Sequence, residues 1–179
     1  MLRRSALLTA LAVAACAPAQ PPPTLGTPAG QGAVTTDQIV TARQDAAAFF
    51  ARPQAGQPAA AARAIADIEY LAGAVPTDPR WQTAGAGAVT QLAQARSEAR
   101  RALGIPANAP AQQVIDGLQG AAAALDANDR AAVARALPRG VFTAGPDQTV
   151  RRLSQPPRVP SASGALFALA AGSSGGSGR

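Results

Sequence analysis

The chain has 179 residues, 47% of them hydrophobic, which is enough for one ordinary domain with tails. All sixteen basic residues are Arg and there is no His, which excludes Ser-His-Asp and Cys-His catalysis and every imidazole metal site; the single cysteine, Cys16, excludes an intramolecular disulfide. The formal net charge of +6 is unevenly spread: residues 36–137 hold nine Arg against nine carboxylates, whereas residues 138–179 hold five Arg and one Asp.

Arg3 and Arg4 form a positive n-region, followed by an uncharged apolar run from Ala6 to Ala15. That run is shorter than the ~20 residues a spanning helix needs, and it suits a secretory signal peptide. It ends in Val13-Ala14-Ala15-Cys16, which resembles the lipobox of bacterial lipoproteins. The resemblance covers residues 1–16. It implies that residues 1–15 are removed and that Cys16, acylated with palmitate among its fatty acids, becomes the first residue of the mature protein. Ala17, rather than Asp, follows it, which resembles the enterobacterial pattern for transfer to the outer membrane. The alternative is a conventional signal cleaved after Ala17-Pro18-Ala19, leaving the protein free in the periplasm. The mature part is similar to uncharacterised Ala-rich proteobacterial lipoproteins, a likeness that implies no function.

Residues 16–34 carry Pro18, Pro21, Pro22, Pro23 and Pro28 with no charge and only Leu25 and Val34 as large aliphatics. Such a stretch buries too little apolar surface to offset its ordering entropy and is expected to be a flexible, partly polyproline tether. Thr35 and Gln38 fit a capping box, and Ile39, Ala42, Ala46, Phe49 and Phe50 share one face of a helix to about Ala51. Pro58 opens a second helix with a stripe of Ala61, Ile65, Ile68, Leu71 and Val75. Asp78 and Pro79 predict the start of a third, through Trp81, Ala88, Leu92, Ala95, Ala99 and Leu103, with Gly104-Ile105-Pro106 as its stop. Gly85 and Gly87 inside it predict close approach of a neighbouring helix beside Trp81. A fourth helix begins near Pro110 and carries Val114, Ile115, Leu118, Ala122 and Leu125. Asp126 and Asp129 make a turn and a new cap, and Arg130 to Leu137 is a short fifth helix. No segment alternates with period two. The expected fold is all-α: a small antiparallel helical bundle of four to five helices over residues 35–137, a flexible Pro-rich N-terminal tether, an irregular basic C-terminal segment over 138–171 with short helices, and a Ser/Gly tail over 172–179.

No catalytic, cofactor or metal site is expected. Asp67 and Glu69 lie ~200° apart on a helix and do not converge. Glu98 has Arg101 three residues on as an exposed pair. Arg96, Arg100 and Arg101 fall in the last turns of the third helix, where cations complement the macrodipole. Tyr70, Trp81, Phe49 and Phe50 line either the core or a ligand pocket. Arg139, Arg151, Arg152 and Arg158 are the candidate contacts to anionic envelope surfaces, since clustered arginine binds phosphate and carboxylate bidentately. Arginines without interleaved aromatics argue against nucleic acid. The expectation is a non-enzymatic, periplasm-facing binding or structural module anchored to the outer membrane. The alternatives are a ligand-binding accessory subunit of a transporter and a carboxylate-dependent cell-wall hydrolase.

Overall fold

Seven α-helices and one 3₁₀ turn, with no strand, form the regular structure among the described residues, 21–26, 37–81 and 86–174, of a computed structural model. The signal region, Cys16 and the capping box at Thr35 lie outside the described residues. The helices are α1 (Gln38–Ala51), α2 (Pro58–Ala74), α3 (Ala86–Leu103), α4 (Ala111–Asp126), α5 (Arg130–Ala136), α6 (Pro146–Leu153) and α7 (Ser161–Ser174).

Local chemistry sets most boundaries. The Asp37 carboxylate accepts the Ile39 N–H at 3.0 Å and caps α1. Pro58 occupies the first turn of α2, whose α-helical bonding gives way to the 3₁₀ turn Val75–Thr77 across Pro76. α3 closes on a left-handed Gly104 at φ +74°, with the Ile105 N–H bonded to the Arg100 carbonyl and the Gly104 N–H to that of Arg101. Asn128, at φ +54°, ends α4 the same way, and the next residue, Asp129, caps α5 through the Ala132 N–H at 2.9 Å. The start of α3 departs from expectation. The Asp78 carboxylate takes the N–H of Arg80, two residues on, and its guanidinium as well. That closes a local turn instead of capping a helix, and α3 begins only at Ala86.

α2 is the central element. Ile65, Ile68 and Leu71 are each at most 1% exposed, and α1, α3, α4 and α6 all pack on the helix. α7 bridges α1 and α3, while α5 lies on α4. Small side chains such as Ala42, Ala46, Ala61 and Ala62 are fully buried and fill much of the interior. They bury little area each, and larger groups from the C-terminal part complete the core: Phe142, Leu153, Leu166 and Leu169. Among the described residues five helices, α1–α5, lie within residues 38–136, and the short helices expected in 138–171 are α6 and α7. They complete the core instead of lying outside it, and α7 runs on to Ser174, into the stretch expected to be tail. The apolar patch of Leu166, Phe167 and Leu169 lies on α7, which buries Leu166 and Leu169 against the core and is longer than a short helix over 163–171.

The close-approach glycine lies elsewhere too. No atom comes within 4 Å of a Cβ built at Gly87, and Gly85 lies outside the described residues. A Cβ at Gly117 of α4, by contrast, would meet Phe142 at 2.6 Å and the Ala136 carbonyl at 2.9 Å. Residues 21–26, expected to be a free tether, are docked on α2 and α4. Among the described residues no helix is long and apolar enough to cross a membrane.

Candidate anion-binding site at the end of α3

Arg96 and Arg100, four residues apart on α3, share a face and point at Glu69 of α2. The Arg96 Nε donates to Glu69 Oε1 at 2.6 Å, and Arg100 closes a bidentate pair through Nε to Oε2 at 3.0 Å and Nη2 to Oε1. The second face of the Arg100 guanidinium donates to the carbonyls of Pro106 and Ala107 at 3.1 and 2.8 Å. The Glu69 side chain is 1% exposed and that of Arg100 5%, whereas Arg96 is 30% exposed and presents its outer edge to solvent. Arg101 is exposed and donates to the Ser97 hydroxyl at 3.3 Å. One carboxylate thus serves two guanidinia, and a third stands beside them. The open groove lined by Arg96, Ser97, Arg100, Arg101 and Ala107 has a volume of about 350 Å³. Its excess positive charge, fork geometry and hydroxyl donor suit a phosphate or carboxylate.

Arg100 and Arg101 stand in the last turn of α3, as the macrodipole reading expects, and Arg96 and Arg100 are in addition turned onto α2 and held by Glu69. Asp67 and Glu69 do not converge, as expected, but both are buried, because neighbours cover α2 on opposite sides. Burial pushes the Asp67 carboxyl up to about 8, with Asp45 on α1 adding to the rise and Arg63 opposing it. Arg63 itself pairs with Asp126. Nor does Glu98 pair with Arg101 at hydrogen-bond distance; its carboxylate accepts the N–H and hydroxyl of Ser161, each at 2.9 Å.

The four C-terminal arginines are distributed around α6. The Arg139 guanidinium packs over Gly145, which precedes the helix, its Cζ 2.9 Å from where a Cβ would stand. Arg151 is exposed and bonded to Gln148. Arg152 lies against the left-handed cap of α3, its Nη1 2.6 Å from the Cβ position at Gly104. Arg158 is exposed in the connection to α7. One of the four, Arg152, is therefore brought to the arginine-rich end of α3. The others spread along α6 and beyond.

Tyr70 and Trp81, each 6% exposed, are core residues. Phe49 and Phe50 meet edge to face at 5.2 Å. Phe50 also lines a second groove, of about 330 Å³, between α1 and α7 with Arg43, Leu166 and Phe167. Neither Tyr70 nor Trp81 lines that groove. Among the described residues no cluster of three or more His, Cys, Asp or Glu is placed to hold a metal. No family model, curated protein or solved structure matches the chain.

Proposed function

We propose that this chain is a lipid-anchored, periplasm-facing helical module of the bacterial outer membrane. It is fixed by the acylated Cys16 and touches envelope polyanions through the arginines at the end of α3 and along α6. On this reading it is a binding or structural part of the envelope rather than an enzyme, an antiparallel bundle around α2 with α6 and α7 added. The anchor half is supported by Val13-Ala14-Ala15-Cys16 at the end of the apolar run. The binding half is supported by one observation above all: Arg152 lies against Gly104, at the end of the same helix that carries Arg96, Arg100 and Arg101. Two separated basic stretches of sequence thereby share one end of the fold, and the spread of Arg139, Arg151 and Arg158 beyond it suits an extended polyanion better than one enclosed anion.

Metabolic labelling with a fatty-acid analogue tests the anchor. The wild type takes up the label and Cys16→Ser loses both label and membrane association; a wild-type protein recovered wholly in the soluble periplasmic fraction overturns it. A second reading, an accessory subunit of a transporter, is favoured by the groove between α1 and α7. There Arg43 keeps a buried Nε without a hydrogen-bond partner beside Phe50 and Phe167. Saturable binding of an amphipathic anion, abolished by Arg43→Ala, would support that reading.

A further inference from the structure

Residues 21–26 are seated on α2 and α4 by contacts that read backbone and proline. The Gln112 side chain of α4 forms a reciprocal pair with the Thr24 backbone: Oε1 accepts the Thr24 N–H at 2.8 Å and Nε2 donates to the Thr24 carbonyl at 3.1 Å. A further bond from Gln112 Nε2 to Asp116 at 2.7 Å orients that amide. Two helical turns on, Gln119 Oε1 accepts the Gly26 N–H at 3.1 Å. Gln112 and Gln119 stand about 10 Å apart along the axis, so the segment runs lengthwise on α4. The Pro23 ring lies on Gly73 of α2, where a Cβ would come within 2.5 Å of its Cγ, and Leu25 packs against the core.

We propose that this α2–α4 face is a docking site whose resident ligand is the chain's own segment 21–26, and that its occupancy sets the length of the leash between Cys16 and the domain. The proposal rests on the reading of Cys16 as the membrane anchor. With the segment seated, four residues, and so five steps along the chain, separate Cys16 from the docked Pro21, a reach of at most about 18 Å. With it released, the next described residue is Asp37, twenty-one residues on from Cys16, a span whose full contour is at most about 75 Å. The seat is built to hold and to let go. Three successive prolines lower the entropy lost on docking, while every hydrogen bond in the seat is at an exposed position, where water competes. Seated, the domain stays against the bilayer surface. Released, its arginines can reach polymer well away from it.

The test uses the full mature protein, acylated, in lipid vesicles. Hydrogen exchange at the Thr24 and Gly26 amides reports the seat. Energy transfer from Trp81, the only tryptophan, to an acceptor-labelled lipid headgroup reports the leash. In the wild type both amides exchange at least about tenfold more slowly than unstructured ones. In Gln112→Ala/Gln119→Ala that protection is lost and transfer falls at least twofold, with helical content unchanged. Gly73→Val, which blocks Pro23, gives the same two losses. Unprotected amides in the wild type overturn the docking, and transfer unchanged in the variants overturns the leash. A protein that is not acylated and does not float with the vesicles overturns the leash together with the anchor. Amide exchange then shows separately that the anchor, not the seat, has failed.

Discussion

Glu98 of α3 caps α7 across the fold: its carboxylate accepts both the N–H and the hydroxyl of Ser161, the first residue of that helix, at 2.9 Å each. A negative charge from one helix thus satisfies the positive end of another and fixes where the C-terminal helix sits on the bundle. Burial alone would raise the Glu98 carboxyl, but the hydrogen bonds from Ser161 and Gln94 and the charge of Arg101 outweigh it and hold it below its usual 4.5. A depressed carboxyl stabilises the fold above its unfolded value and loses that contribution as the pH falls through its folded value. Glu98→Ala should cost ~1 kcal/mol in denaturant unfolding at neutral pH. The gap from wild type should close as the pH is lowered below 4.5.

Asp67 behaves in the opposite sense. Its folded value of about 8 lies above the ordinary 3.8, because burial, and then Asp45, disfavour the charged form. The folded state binds the proton more tightly, so this contribution is complete below 3.8 and is lost as the pH rises towards 8. Asp67→Asn should remove that loss, raising stability by at least ~1 kcal/mol at alkaline pH. Little change is expected at pH 4. Thermal unfolding of both proteins across the pH range measures it.

Among the described residues, Glu69 is the one carboxylate paired with the buried Arg100 guanidinium. Glu69→Gln should destabilise the fold by ~3–5 kcal/mol, the cost of a buried charge left without its partner. Glu69→Leu combined with Arg100→Met should recover much of that loss, since packed apolar groups replace a buried pair at little cost. Chemical denaturation of wild type, Glu69→Leu, Arg100→Met and the double variant forms the cycle, with Glu69→Gln measured beside it.

The close approach expected at Gly87 is absent there and is found at Gly117, for which the sequence predicts nothing. Gly117→Ala forces a methyl against Phe142 and the Ala136 carbonyl and should cost ~1–3 kcal/mol. Gly87→Ala, on an open helix surface, should stabilise by ~0.5–1 kcal/mol. Midpoints of urea unfolding distinguish the two signs.

What was legible in the sequence is what neighbouring residues decide among themselves. Pro58 at the head of α2 relies on its own fixed φ, and the Gly104-Ile105-Pro106 stop and the Asp129 cap each depend on a bond within a few residues. Asp78 shows the limit of that logic, since the same side chain can cap a helix or close a turn on Arg80, and the turn forms. The arginine cluster of the candidate site was visible as charge, but its partner Glu69 lies 27 and 31 residues away on another helix. A hint was present, a lone Glu amid the apolar residues of α2 opposite an i, i+4 arginine pair. The docked segment 21–26 finds its glutamines 88 and 93 residues on. Nothing local to a proline-rich stretch foretells such a seat. The four C-terminal arginines were legible as a basic region, but only the packing of α6 on α3 sends Arg152 to Gly104 and leaves Arg151 exposed.

The central claim, that the protein meets polyanions through its arginine face, is tested most directly by salt-dependent binding of the Cys16→Ser protein to vesicles of anionic lipid and to isolated cell-wall polymer. At 0.1 M salt, with a screening length of ~10 Å, binding should be measurable and should weaken steadily as salt rises. Arg101, Arg151, Arg152 and Arg158 replaced together by Gln should abolish it without changing helical content. Equal binding by the variant and the wild type, or no binding by either at low salt, would contradict the account.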